Sequence, residues 1–392
     1  MLKKLKDECY IVMGQSPSSE FYNQTREGIP FLQGRKTFGD KYPTIDTWTT
    51  KPSKIGSKNS VLMSVRAPVG DVNMAPFDIC IGRGLASIKM KNNHNQYLYY
   101  LLKNNIEKIK NKSSGTVFDA INRNDLENLV LNFNDEIEQI KIEKVLNDID
   151  KKIELNNEIS NNLHELLKNI YEHWFINYNY PNSKEKLHSN WTTNKLGEYL
   201  NVERGLSYKG KFLSDDGVPM INLGNVMPDG VFRLEKNKYY SGEYKEKVTA
   251  KAGDIVIANT DMTQDRAVIG SPVIIPNVYN SDIIYSHHIY GVKNLKLPRM
   301  FVFYTLLRKE FRAIAGGSAT GTTVLALPKD VIENYEIEIP DKFTLEAFSN
   351  IAETIYKKRE ILMLQNIKLE QLRDTLLPKL MNGEIDLDSI EV

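Results

Sequence analysis

Residues Gly115 to Asp135 align without a gap on Gly321 to Asp341, and the offset carries on through the helical stretch that follows each segment. Gly115 and Thr116, Ala120, Glu127, Asn128 and Asp135 return as Gly321 and Thr322, Ala326, Glu333, Asn334 and Asp341. Two more segments recur. Lys4-Leu5-Lys6-Asp7 with Met13-Gly14-Gln15-Ser16 resembles Lys195-Leu196-Gly197-Glu198 with Arg204-Gly205-Leu206-Ser207. Gly28-Ile29-Pro30-Phe31-Leu32-Gln33 resembles Gly217-Val218-Pro219-Met220-Ile221-Asn222. An internal repeat restricts the fold more than any single motif does. The unit here is about 190–206 residues, a mixed domain followed by a long helix. Similarity is low in the domain middles, so a shared frame carries different surfaces.

Each domain reads as β-rich. Ser60 to Val65 and Gly253 to Ala258 are buried-strand patterns, Tyr97 to Lys110 and Phe301 to Ile314 are short helices, and Gly and Pro punctuate the rest. Residues 135–175 hold no Pro or Gly, with apolar side chains at Ile142, Val145, Ile149, Ile159, Leu163, Leu166 and Ile170. In the second copy Phe348, Ile355, Leu362, Leu369 and Leu376 fall at every seventh position, with Ile351 and Leu372 between them, which is a coiled-coil seam. Asn156 stands where that seam expects an apolar residue and fixes register. About 40 helical residues span roughly 60 Å. The link Asn179 to Asn194 reaches at most about 53–58 Å fully extended, so an antiparallel pair is the easy arrangement.

The expected architecture is α+β. Two mixed domains, 1–134 and 195–340, are separated by two long antiparallel helices, 135–178 and 341–381, on a pseudo-two-fold frame. A linker covers 179–194 and a tail 382–392. Domains set apart on a rod suit duplex DNA about one helical turn apart.

Net charge is +1, but it is unevenly spread. Residues 1–134 carry 19 basic and 12 acidic side chains, and residues 135–178 carry 5 and 10. A positive domain attracts phosphates and an acidic helix repels them. No apolar run is long enough for a membrane span, and the first residues lack a signal-peptide core. Cys9 and Cys80 form no metal motif, which fits a reducing cytoplasm.

Catalytic signatures are weak. There is no Pro-Pro pair for an amino-methyltransferase, and Gly316-Gly317-Ser318-Ala319-Thr320-Gly321 lacks the Lys of a phosphate loop and reads as a loop or turn. Pro228-Asp229 with Glu243-Tyr244-Lys245 is a short nuclease-like string, and Pro228-Asp229-Gly230 reads as a turn. His287-His288, placed on a strand, would point to opposite faces, one buried and one solvated, which makes metal binding a minor reading.

The helix ends Ile170-Tyr171-Glu172-His173-Trp174-Phe175 and Leu372-Arg373-Asp374-Thr375-Leu376-Leu377-Pro378-Lys379-Leu380-Met381-Asn382-Gly383-Glu384-Ile385 resemble the shared regions of specificity subunits of type I restriction-modification enzymes. Met13 to Ser18, Gly28 to Gly34, Ser64 to Asp71 and Cys80 to Gly84 resemble a target recognition domain of that family. The second domain departs from this pattern, with Asn259-Thr260-Asp261 where the first has Val65-Arg66-Ala67.

The resemblance implies a non-catalytic DNA-reading subunit. Each domain would read half of a bipartite asymmetric site. The helices would dock two adenine methyltransferase subunits, and restriction/translocase subunits would join through the complex. No cofactor is expected in this chain; S-adenosylmethionine, Mg²⁺ and ATP belong to the partners. The competing reading is a bivalent scaffold without a methyltransferase.

Base readout needs donor and acceptor forks on exposed loops. The candidates in the first domain are Gln15, Ser16, Gln33, Arg35, Lys36, Arg66, Arg83, Ser114 and Thr116. In the second they are Ser207, Lys209, Asn222, Asn225, Thr260, Arg266, Ser318 and Thr320. Candidate partner-binding residues are Leu166, Leu167, Ile170, Trp174 and Phe175, with Leu369, Leu372, Leu376, Leu377 and Leu380, weighed against packing on the chain's own domains.

Overall fold

The computed structural model describes residues 1–113, 120–179, 191–263, 265–279 and 281–387. The chain forms two compact units, Met1–Glu154 with Asn366–Val392, and Leu155–Gln365. Each therefore combines a β-rich body with parts of both long helices, Glu136–Tyr171 and Lys342–Met381.

Unit 1 has a four-stranded sheet in the order Cys9–Met13, Leu85–Met90, Val61–Ser64, Val72–Met74. A second sheet runs Tyr22–Asn23, Trp48–Thr49, Ile29–Leu32, Ile79–Ile81, Ile55–Gly56, with Ile29–Leu32 parallel to Ile79–Ile81. Strand Val61–Ser64 is buried along its whole length because its two faces serve different cores. Val61 and Met63 join the main cluster with Tyr97, Leu131 and Ile142, whereas Leu62 joins Leu32, Ile79 and Ile81. Side chains alternate across a sheet, so a strand covered on both faces reads as a continuous apolar run.

Unit 2 repeats this plan. Its four-stranded order is Asn201–Arg204, Ile289–Lys293, Ile255–Ala258, Pro272–Ile274. Its five-stranded order is Leu213–Ser214, Lys238–Tyr240, Val218–Ile221, Ile283–Tyr285, Thr249–Ala250, with Val218–Ile221 parallel to Ile283–Tyr285. Ile255 and Ile257 face one core, Val256 and Ala258 the other. In each unit a two-stranded ribbon ties the start of the domain to its last strand, Leu2–Lys4 with Val130–Asn132 and Thr192–Lys195 with Glu336–Ile339.

The short helices differ from the sequence expectation. Each is broken in two: Asn95–Asn104 then Ile106–Ser113, and Arg299–Leu307 then Lys309–Ser318. In the second pair Arg308 is extended at the joint (φ −56°, ψ 141°). Gly316, Gly317 and Ser318 form the last turn of a helix, not a loop.

The repeated Asp135 and Asp341 begin the long helices. Glu138 N–H donates to Asp135 Oδ1 (2.9 Å) and Asp135 N–H donates to Glu138 Oε2 (3.2 Å), a reciprocal cap. Thr344 N–H and Oγ1–H donate to Asp341 (3.0 and 2.7 Å). The first helix ends in a π turn, Glu172–Ile176. The second ends at Gly383, in the left-handed region (φ 72°), with Glu384 N–H returning to Lys379 O (2.9 Å).

The helices pair antiparallel within each unit. In unit 1 Ile142 and Leu146 share a core with Leu377 and Leu380, Asp150 meets Arg373, and Asn366 Nδ2–H donates to Ile153 O (3.4 Å). In unit 2 Asn156 meets Gln365 (3.4 Å), Ser160 meets Arg359, and Tyr171, Trp174 and Phe175 pack on Phe348. Asn156 is fully buried in this seam.

The line of residues beside Phe348, Leu362 and Leu369 is not the expected one. Ile351 and Leu372 are exposed, and the inward line is Ala352, Arg359, Asn366, Arg373 and Leu380. Three polar residues hold that line because buried partners on the first helix satisfy them.

Two buried polar hubs result. In unit 1 the Asp150 carboxylate receives Arg373 Nη1–H (2.9 Å) and the Tyr100 hydroxyl (2.5 Å), and pairs with Lys41 Nζ (3.2 Å). Burial raises its affinity for a proton, but Lys41 and the hydrogen bonds from Tyr100 and Arg373 win, holding the carboxyl below its ordinary range. In unit 2 Arg359 Nη1–H donates to His164 Nδ1 (3.1 Å). Arginine has no acceptor, so the His164 proton sits on Nε2 and is donated to Asp229 O (2.8 Å). Burial, then Arg359, pushes His164 down to about 4.

Candidate nucleic-acid interface

Five chain segments meet at one rim of unit 1, and main-chain hydrogen bonds set them. Gly14 N–H donates to Leu85 O and Gln15 N–H to Ile81 O; Gly82 N–H donates to Leu32 O, Val65 N–H to Gly84 O, and Ile121 N–H to Val65 O. Unit 2 repeats every one. Gly205 N–H donates to Ile289 O and Leu206 N–H to Tyr285 O; Ser286 N–H donates to Ile221 O, Asn259 N–H to His288 O, and Leu327 N–H to Asn259 O. The pairing fixes equivalence residue by residue. Gln15 corresponds to Leu206, Ser16 to Ser207, Gln33 to Asn222, Arg66 to Thr260 and Arg83 to His287. The frame is main chain, so any side chain can ride on it. Gly14, Gly82 and Gly205 are exceptions, because a Cβ at any of them would lie 2.1–2.8 Å from a carbonyl oxygen.

In unit 1 the frame gathers Gln15, Ser16, Gln33, Arg66 and Arg83. Ser16 Oγ–H donates to Gln33 Oε1 (3.2 Å) and accepts from Arg83 N–H (3.3 Å). Gln15, Gln33, Arg66 and Arg83 are exposed. Together they present amide forks and two guanidinium groups, the donor sets that match purine edges and phosphates. Lys36 is exposed on the neighbouring turn. Arg35 is ion-paired with Asp71, so its fork is already engaged. Ser114 and Thr116 lie outside the described residues.

In unit 2 the outcome is mixed. Ser207, Lys209 and Thr320 are exposed, and Ser318 is half-buried. Asn222 and Asn225 are buried and serve the loop itself. Asn222 Nδ2–H donates to Asn225 Oδ1 (2.9 Å) and Lys236 O (2.8 Å), and Asn225 Nδ2–H to Arg233 O (2.8 Å) and Asn237 Oδ1 (2.7 Å). Thr260 is buried against His288 Nδ1 (2.9 Å). Arg266 is exposed, with Nη1–H donating to Gly316 O (2.7 Å). A polar residue in a Gly-rich loop is as suited to closing the loop as to touching a ligand, and sequence does not separate these uses.

His287 and His288 do not alternate on a strand. They form the turn before Ile289–Lys293, both half-buried, with ring centroids 3.9 Å apart. Among the described residues no group of three or more His, Cys, Asp or Glu could hold a metal ion. Asp229 lies in the expected turn, with Gly230 at φ 83° and its N–H donated to Met227 O (3.0 Å).

The candidate partner residues divide. Leu167, Trp174 and Phe175 are buried in the core of unit 2, and Leu377 and Leu380 in that of unit 1, so these pack on their own units. Ile170, Leu369 and Leu376 are half-buried. Leu166 and Leu372 remain 46% and 47% exposed.

Two units that repeat one main-chain frame and vary its side chains are a duplicated domain presenting unlike surfaces, as a paired recognition module would. Comparison with known proteins agrees. The sequence profile of the type I restriction modification DNA specificity domain matches residues 1–165 and 188–371. The chain therefore belongs to this family of DNA specificity subunits.

A putative type I restriction enzyme MjaX specificity subunit of Methanocaldococcus jannaschii is 44% identical over 171 residues, 43% of this chain and 40% of the relative. The MjaIX specificity subunit of the same organism is 24% identical over 414 aligned positions, covering 99% of this chain and 94% of the relative. The crystal structure of a type I restriction-modification S subunit from M. genitalium superposes with a TM-score of 0.56 at 17% identity, covering 97% of this chain and 95% of that one, which establishes the shared fold.

Proposed function

We propose that each unit reads one half of a bipartite, asymmetric DNA site and that the long helices dock two adenine methyltransferase subunits. Restriction/translocase subunits then join through the complex. The chain performs no chemical step; S-adenosylmethionine, Mg²⁺ and ATP act on the partners, in the cytoplasm. A methyltransferase must take its target base out of the stack, which fits a division of labour between reader and catalyst. No described helix is long and apolar enough to cross a membrane.

The observation that carries the reading is the repeated main-chain frame with unlike side chains, Gln15, Gln33, Arg66 and Arg83 against Leu206, Asn222, Thr260 and His287. Identical readers would select a symmetric site; unlike ones select two different half-sites. Partner docking draws support from apolar side chains left exposed on the helices, Leu155, Leu166, Ile351, Ile361 and Leu364 in unit 2 and Leu372 in unit 1.

The test is methylome sequencing of a host that carries this chain with the methyltransferase of its system. A single split asymmetric motif with modified adenines on both strands is expected; a symmetric motif, or none, refutes the proposal. Arg66→Ala should weaken binding by about 1–3 kcal/mol and relax one position of one half-site. Affinity should also fall steeply with salt, as phosphate contacts release counterions.

A further inference from the structure

Unit 2 lacks the exposed Arg and Gln set of unit 1, so its reading chemistry has to come from elsewhere in the same frame. The turn Ser286-His287-His288 occupies the place of Gly82-Arg83-Gly84, by the hydrogen bonds to Ile221 and from Asn259. Small residues flank Arg83; here a second imidazole and a hydroxyl replace them.

Unsatisfied polar groups concentrate at this turn and on the segment bonded to it. Asn259 Oδ1, Ser286 Oγ and His287 Nδ1 are buried without a hydrogen-bond partner. Asn259 and Ser286 are 2% and 0% exposed. Native structures hold few such groups, so two in one turn and a third on the segment bonded to it mark a place built for something besides folding.

The surroundings give the ligand chemistry. His288 Nδ1 is tied to Thr260 Oγ1 (2.9 Å), which fixes the rear ring, and the His287 ring lies against it, tilted by 39° with centroids 3.9 Å apart. Tyr208 lies 5.8 Å from His287. Arg204 Nε–H donates to His287 O (3.1 Å), and Lys238 lies over Tyr208. Burial, with Arg204 beside His287 and with His287, Arg204 and Lys238 beside His288, holds both imidazoles below their ordinary range. A neutral imidazole has one donor and one acceptor nitrogen, which suits a base edge; Arg204 and Lys238 supply cations for the phosphates alongside.

We propose that His287, at the turn position that Arg83 holds in unit 1, is the residue with which unit 2 reads a base of its half-site, and that His288 and Thr260 position it. This rests on the DNA-reading function above and assigns it a residue that metal or core readings of a His-His pair pass over.

The experiment is enrichment of a randomised duplex library by the full chain in complex with its methyltransferase, comparing wild type, His287→Asn, His287→Gln and His287→Arg. The bonds that hold the turn are made by main-chain atoms of His287, so an unchanged melting temperature is expected. The variants should change the preferred base at one position of one half-site by about tenfold or more, with the other half-site untouched. Arg83→Gln should do the converse. Wild-type preferences kept at every position by the three His287 variants would overturn the proposal. So would a uniform loss of binding with preferences unchanged, which would make His287 a backbone contact. Failure of the wild type to enrich any split motif would instead strike the DNA-reading function itself.

Discussion

Replacing Asp150 by Ala should destabilise unit 1 more than replacing any of its partners. Asp150 is 5% exposed and faces two cations, Lys41 and Arg373, whose side chains are 8% and 15% exposed. Removing the carboxylate leaves both cations and the Tyr100 hydroxyl without their shared acceptor. Residual compensation comes from Glu154, 3.9 Å from Lys41, and Asp374, 3.0 Å from Arg373, both largely exposed. Breaking a buried pair from one side costs about 3–5 kcal/mol.

Lys41→Met is the control. It leaves Asp150 bonded to Arg373 and Tyr100 as a neutral set, and the expected loss is about 1–2 kcal/mol. Hydrogen exchange of the amides between Ile142 and Ile153 reports on this hub. At about 1.4 kcal/mol per decade, Asp150→Ala should lower their protection by about two to four decades and Lys41→Met by about one.

The wild type should also lose this contribution in acid. A carboxyl held below its ordinary value stabilises the fold above that value, 3.8, and the stabilisation disappears as pH falls through the folded-state value. Asp150→Ala should flatten that acid limb. A loss under about 1 kcal/mol for Asp150→Ala, or equal losses for the two variants, would show that the hub does not depend on its central carboxylate.

Further outcomes follow from other sites. His164 is neutral in the fold with a value of about 4 against 6.5 unfolded, so the unfolded chain binds the extra proton and stability should fall by roughly 3 kcal/mol between these pH values; urea titrations of wild type and His164→Gln should differ across that window. Asn225→Leu strands Arg233 O and Asn237 Oδ1, and should cost about 2–4 kcal/mol in thermal or urea unfolding, far more than Lys209→Ala at an exposed position. Leu372→Asp and Leu166→Asp should abolish co-purification with a methyltransferase subunit while the melting temperature stays unchanged, since both side chains are about half exposed; a retained complex counts against docking there.

The repeat, the strands and the length of the helices were legible because each rests on local chemistry. Asp135 and Asp341 align because both are helix caps, and Val61 to Ser64 read as a strand because both faces are covered. The seam was half legible. Phe348 and Leu362 announce themselves by being apolar, but Arg359, Asn366 and Arg373 belong to it only because His164, Ile153 O and Asp150 receive them, and those partners are distant in sequence.

The aromatic run at Tyr171 to Phe175 looked as suited to a partner as to a core. Phe301, Tyr304 and Phe348 settle it as core, and that gathering is tertiary. In the recognition loops, Asn222 and Asn225 carry the same donor forks as Gln15 and Gln33, yet only the fold shows which are turned inward. His287 was missed for a related reason: its equivalence to Arg83 lies in hydrogen-bond register, where the two residues share no chemistry.

The frame beneath the exposed tip positions is made by peptide groups, and this has an evolutionary corollary. Mutations at exposed positions such as Gln15 and Arg66 are nearly free of folding penalty, so one half-site's vocabulary can drift under pressure from invading DNA while the scaffold stays under purifying constraint. Lineages carrying such a chain should accumulate new target sequences faster than new architectures.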